Sequence, residues 1–592
     1  MARIDRKTDR RRTGACVTTS SVPPPSLATA AGGLLLPPPL LRRSSTPSLL
    51  RSVASRTRLT RTLCFCSVRA FSGDSGMAAG LLEQRAVVVT ETVKLTEKEE
   101  RIFQRLLDVV RHFGLGTQLR VAGGWVRDKL LGKDPADIDI ALDNMTGQNF
   151  CEKVNEYSEL MGEEQKKIGV IQRNPDQSKH LETSRMQIFN IEIDFVNLRS
   201  EKYAENSRIP TVELGTVKED AYRRDLTINS LFFNINNNSV EDLTGRGIND
   251  LKKGLIVTPL PAKATFLDDP LRVLRAIRFA ARFNFILAED LKEAASDEKV
   301  KSKLGSKISR ERIGDEIKLM MSGKHPVKAM HYIRDLALFD AVFTLPKKSD
   351  PPAFKKCDWC CVSNMEAAWN LAYSSGCSVF RGGSDPMLQR RLCLYSALFA
   401  PLRNMFYLDK RSKKVRATSY IIRDSLKSKG CDPKMVAEID DACGEFAELV
   451  LLFESNVGVG SLKEQLEDEY LEIPTDSVKR VFAGLTLRKI KDLWRLALFV
   501  SILSYPEVEN AGDILKQQDE LQHRKEKYLR VEHSITDLDL DGVWELPLLD
   551  GEIIMGVMQV KSGPLIGQWW QLAHPKGTMD ECIELMKQSQ LK

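Results

Sequence analysis

The 592-residue chain has only seven histidines, so a histidine-built metal or hydrolase site has few residues to draw on. Its longest apolar stretches, such as 496–500, fall far short of the roughly 20 residues that cross a bilayer. That excludes membrane-spanning helices, and no membrane partner is expected. Twelve cysteines follow no regular spacing and read as reduced thiols rather than a disulfide framework. Bulk positive charge is missing as well, except at one end. Of the formal +7, residues 1–76 hold twelve Arg and one Lys against three acids, leaving 74 basic and 77 acidic groups in the remainder. Whatever the folded part binds, overall charge does not attract it. What is present is globular composition, 42% hydrophobic and 28% charged, with length for roughly three or four domains.

Residues 1–76 contain seven prolines, many Ser and Thr, and the run Gly33-Leu34-Leu35-Leu36-Pro37-Pro38-Pro39. Arg-rich, Ser-rich, acid-poor composition is that of an organellar transit peptide, directing the chain to the mitochondrion or a plastid. A basic tail that touches nucleic acid directly is the alternative. Met77 offers a second start, which would yield a cytosolic or nuclear copy.

Apolar spacing predicts a helix over Glu97–His112, a strand at 118–122, Gly123-Gly124, and an amphipathic run at 126–131. Strand-like alternation follows at Asp137-Ile138-Asp139-Ile140, with two more strands within 182–199 and a buried strand at 228–233. The reading is an α+β head with a small mixed sheet over 88–257. From Asp268 the pattern is almost wholly helical, divided into a neck at 258–340, a body at 341–470 and a tail at 471–592. Loops fall near 346–352, 382–385 and 472–476.

The chemistry rests on carboxylates. Alternate strand residues share a face, so Asp137 and Asp139 stand together while Ile138 and Ile140 pack inward. Paired carboxylates suit a divalent cation, and Mg²⁺ commonly bridges such oxygens to substrate phosphates. Glu192 or Asp194, on a neighbouring strand, offers a third ligand. Gly123 and Gly124 stand between strand and helix, where backbone N–H groups can approach phosphate, and Arg127 follows on the first helical turn. Alone, a DxD is most often a solvated turn. Strand, Gly-Gly, helix, then DxD on a strand resembles the active-site signature of the polymerase-β-type nucleotidyltransferases.

The wider string narrows the resemblance. Arg120-Val121-Ala122-Gly123-Gly124-Trp125-Val126-Arg127-Asp128 leads into the DxD. Downstream stand Asp220-Ala221-Tyr222-Arg223-Arg224-Asp225, then Asp268-Asp269-Pro270-Leu271-Arg272, then Ile308-Ser309-Arg310-Glu311-Arg312-Ile313 with Glu316. In this order they resemble the class II CCA-adding enzymes, strongly over residues 100–340 and loosely beyond, although 561–567 resembles a recurring C-terminal element. At Asp268 the family often has Glu. The resemblance implies two metal ions on Asp137 and Asp139, nucleotide transfer from CTP and ATP to tRNA, and nucleotide contacts by Arg223, Arg224 and Asp225. It assigns base selection to Asp269 and Arg272.

Hydrogen-bond chemistry converges on that last assignment. Cytosine and adenine each present an amino donor beside a ring-nitrogen acceptor, which an Asp acceptor and an Arg donor match; uracil and guanine present the reverse. Each mismatch costs on the order of 1–3 kcal/mol. Arg275 and Arg278 continue the helix and either reach the triphosphate or pair with nearby acids. Glu311 and Arg312 read as braces, and Thr227 and Asn229 as structural. Cys357-Asp358-Trp359-Cys360-Cys361 has a zinc-like start but no tight second pair, so no zinc is expected and buried thiols are preferred. In the family, helices hold the acceptor and TψC arms of tRNA. The basic runs at 410–416, Lys479-Arg480 and Arg488-Lys489 are candidates for such contact. The rivals are a poly(A) polymerase of the same fold and a non-catalytic RNA-binding relative.

Overall fold

The structure, a computed structural model, describes, isolated positions aside, residues 87–171, 183–203, 210–346, 357–374, 385–409, 411–428, 432–455, 458–469, 478–503, 514–544 and 551–559. The segment 1–76, the loops expected at 382–384 and 472–474, most of that at 346–352, and the element at 561–567 lie outside the described residues.

Helix α1 spans Glu97–His112, opened by a capping box in which Thr96 and Glu99 satisfy each other's backbone N–H. Glu99 also accepts from Trp125 and Lys129, tying α1 to the next helix. The strands of the head are β1 (Leu119–Ala122), β2 (Ile138–Leu142), β3 (Gly169–Ile171), β4 (Thr183–Ile188), β5 (Ile191–Asn197), β6 (Arg199–Lys202), β7 (Thr211–Leu214), β8 (Phe232–Asn234) and β9 (Ser239–Glu241). Seven of them form one mixed sheet in the order β3-β4-β5-β2-β1-β8-β9, while β6 and β7 pair separately. Helices α2 (Gly124–Leu130), α3 (Gly147–Leu160), α4 (Val217–Tyr222) and α5 (Gly247–Lys253) complete this part. The residues expected as one strand at 228–233 divide: Thr227–Asn229 is a 3-10 turn and the strand begins at Phe232.

The neck follows as α6 (Ala262–Asp268), α7 (Leu271–Phe283), α8 (Glu289–Ser296), α9 (Glu298–Lys307) and α10 (Arg310–Met321). Pro270 separates α6 from α7. The residue before a proline is steered out of helical conformation, and Asp269 duly sits at φ −127°, ψ 96°. Two short strands, β10 (Leu255–Ile256) and β11 (Ile286–Leu287), pair in parallel across α7. Helices dominate the remainder, including Cys357–Ser374, Pro386–Leu398, Asp432–Ser455 and Val478–Ile490. One hairpin, β12 (Phe406–Leu408) with β13 (Lys414–Arg416), interrupts them where the sequence pattern reads as helical. A continuous apolar core runs from Ile102 through Val121, Ile140 and Phe195 to Trp494 and Val543.

Candidate active site

Strand registry builds one wall of the site. β2 and β5 run parallel with Asp139 opposite Asp194, and β4 runs antiparallel to β5 with Arg185 opposite Asp194. Side chains at matched positions stand on one face, so Asp139, Asp194 and Arg185 form a row across three strands. Arg185 grips Asp194 through two bonds of 2.6 and 2.7 Å. Shielding by the pocket, then the charge of Asp194, holds the Asp139 carboxyl above the ordinary aspartate range. Both carboxylates line a cavity of about 610 Å³. Asp137 is exposed just before β2, and neither it nor Glu192 lines that cavity. Of the two alternatives for a third carboxylate, Asp194 is therefore the one beside Asp139.

The glycine pair opens α2. Gly124 borders the cavity, whereas Gly123 serves the turn: its φ is +68°, and a Cβ there would meet Arg224 Nη1 at 2.6 Å. Arg127, expected to face phosphate from the first turn, is buried. It donates to Asp128 and to Asn229 and lies over the rings of Phe279 and Phe283, although it still lines the cavity.

Opposite stand arginines held by buried acids. Asp220, on α4, accepts from both Arg223 and Arg224. Burial opposes its ionisation, but Arg224 and then Arg223 keep its carboxyl below the ordinary range. Asp225 is buried and accepts from the Leu226 N–H, Asn229 and Arg275. Against the cost of its burial, Arg275 holds this carboxyl well below the usual carboxylate range. Asp225 thus orders Arg275 and the turn after it, and it also lines the cavity in which it is expected to contact the nucleotide.

The neck closes the pocket. Asp269 caps the start of α7 by accepting from the Leu271 N–H at 3.2 Å and meets Arg312 at 3.5 Å. Arg272 donates to the Arg223 carbonyl at 2.8 Å and to the Tyr203 hydroxyl at 3.3 Å. Asp269, Arg272, Arg275 and Arg312 all line the cavity, so Arg312, expected as a brace, borders it while bonding Asp269. Arg278 is turned away and pairs with Glu316 at 2.6 Å. Sequence reasoning passed over Glu201, Tyr203 and Asp220. Of these, only Asp220 stood in a recognised string, one turn before the two arginines it holds. Among the described residues, the lining comprises seven arginines, six acids and no lysine. Arginine's planar fork suits bidentate contacts to phosphates and base edges, and each neighbouring acid fixes its orientation.

A cavity at the carboxylate-bearing edge of a small mixed sheet, closed by a helical neck, defines a nucleotidyltransferase head. Residues 119–257 match the Poly A polymerase head domain family. A mitochondrial CCA tRNA nucleotidyltransferase of Candida glabrata is 32% identical over 85% of this chain and 98% of its own length. Its counterpart in Saccharomyces cerevisiae is 34% identical over 79% and 87%. A solved CCA-adding enzyme in an apo form shares the fold at a TM-score of 0.52, with 20% identity over 84% of this chain and 96% of that one. The chain belongs to the CCA tRNA nucleotidyltransferase family.

Proposed function

We propose that the protein adds C, C and A to the 3′ end of tRNA from CTP and ATP, releasing pyrophosphate. The observation that carries this reading is the meeting, in one cavity, of the carboxylate wall of β2 and β5 with Asp269 and Arg272 of the neck. Head, neck, body and tail would divide near residues 257, 340 and 470.

The donor chemistry fits a hard divalent cation. Asp139 and Asp194 are like charges side by side, a clash that a cation relieves, and Asp137 stands two residues from Asp139. Among the described residues no cluster of three such ligands has already converged, and Arg185 must yield Asp194 for the set to form. Asp137, Asp139 and Asp194 would hold two Mg²⁺ ions, whose chemistry when bound is activation of a hydroxyl and neutralisation of phosphate charge. The chain's own residues supply position. Arg223, Arg224 and Arg275, aimed by Asp220 and Asp225, face the triphosphate and ribose of the nucleotide. Asp269 accepts from the exocyclic amino group of C or A, and Arg272 donates to the adjacent ring nitrogen. The protein then stands in for a template strand, and U and G each meet a mismatched pair.

The basic composition of residues 1–76 supports a transit peptide, and the mitochondrial relatives favour that organelle over a plastid. Met77 would begin a cytosolic or nuclear form. The decisive assay is incorporation of labelled CTP, and separately ATP, into tRNA lacking its three terminal nucleotides. Two C followed by one A is expected, with none from an Asp137→Ala, Asp139→Ala double variant. Unlimited A without C would establish the poly(A) polymerase alternative instead.

A further inference from the structure

The three basic runs of the sequence have different fates. Arg480 and Arg488 spend their guanidinium groups on the carbonyls of Leu538 and Val543, and Lys489 pairs with Glu445. The third run forms the β12–β13 hairpin, and there Arg411, Lys413 and Lys414 stay exposed. Registry sets Phe406 opposite Arg416, Tyr407 opposite Val415 and Leu408 opposite Lys414. Alternation then gives Phe406, Leu408, Lys414 and Arg416 one face, and Tyr407 and Val415 the other. The second face is anchored, with Tyr407 meeting the ring of Tyr420 edge-on at 5.5 Å. The first is open: Phe406 is 38% exposed and Leu408 67%. Lys414 stands over the Phe406 ring at 4.3 Å and Arg416 at 5.3 Å. Arg416 also bonds Asp441, which fixes the hairpin's base. At the tip, Asp409 accepts from the backbone of Arg411 and Lys413, holding a turn whose Arg411 and Lys413 side chains are exposed.

An exposed ring beside cations, with further cations at the tip, is suited to stacking a base while tracking phosphates. The hairpin is linked to the cavity wall through α10. Arg310 of α10 donates to the Ser425 carbonyl at 2.6 Å, and Arg312, two residues on, lines that cavity.

We propose that the outer face of this hairpin is an RNA-docking surface, on which Phe406 stacks an unpaired base while Arg411, Lys413 and Lys414 bind backbone phosphates. The proposal rests on RNA being the substrate. It is tested on the full chain by fluorescence anisotropy with labelled tRNA lacking its last three nucleotides, over a range of salt concentrations. The Lys413→Ala, Lys414→Ala variant is expected to bind about tenfold more weakly at low salt. Its slope of log affinity against log salt should fall by about two, one for each lysine that no longer neutralises a phosphate. Phe406→Ala should weaken binding by about tenfold with the slope kept, and Phe406→Tyr should restore it. Melting temperatures and the KM for CTP should stay unchanged in all three.

Unaltered RNA affinity and slope in correctly melting variants would overturn the proposal, as would a wild-type protein that does not bind the tRNA. So would a loss confined to binding of phosphatidylserine-containing vesicles, which would assign the face to a membrane surface. A wild-type protein that binds the tRNA through the hairpin yet adds no nucleotide would refute the proposed function and leave this surface standing.

Discussion

Asp139 is asked to be charged where charge is disfavoured. Pocket shielding and the Asp194 carboxylate hold its pKa above the ordinary value, so folding disfavours its ionised form relative to the unfolded chain. Above an ordinary aspartate pKa of about 3.9 the ionised group therefore costs stability, and that cost vanishes below it. Asp139→Asn should raise the melting temperature at pH 7, with the gain shrinking to nothing on acidification below about pH 4, while incorporation is lost. Scanning calorimetry across that range is the check, and an equal or lower melting point at pH 7 would contradict it. Arithmetic on the helix could have separated Arg278 from its neighbours. Steps of three residues fall about 60° short of a full turn each, so Arg278 lies about 120° around α7 from Arg272. Arg272 and Arg275 line the cavity, and Arg278 meets Glu316. The inward turn of Arg127 was not legible, because its partners Asn229, Phe279 and Phe283 are distant in sequence.

Among the elements, local signals are legible in the sequence and pairings are not. α1 begins and ends where its apolar spacing predicts. The choice between Glu192 and Asp194 needed the β2–β5 register, which no single strand encodes. Likewise β12 and β13 are only three residues each and give too little alternation to outweigh the helical surroundings. Helix α10 shows how tightly the elements that position the site are joined. Gly314 packs against the backbone at Leu426, where any Cβ would overlap the carbonyl. Gly314→Ala must push α10 away from that segment. The expected cost is about 1–3 kcal/mol by denaturant titration. A raised KM for CTP should accompany it, because Arg312, on the same helix, lines the cavity. A variant with both values unchanged would show that α10 can shift without moving the site.

At the scale of the whole molecule, the buried apolar core among the described residues begins at Ile102. A chain starting at Met77 should melt at the same temperature as the full chain and incorporate nucleotides at the same rate. Paired melting curves and incorporation time courses test this, and a loss in either would give residues 1–76 a part in the folded enzyme. The cavity itself is shared across the point where the head-domain similarity stops, at residue 257. Asp139, Asp194, Arg223 and Arg224 lie before that point, and Asp269, Arg272, Arg275 and Arg312 after it. On the roles proposed for them, the carboxylates that would hold metal and the pair that would choose the base are carried by separate stretches of chain. Substitutions in one stretch can then alter the choice of base while the other keeps its carboxylates in place.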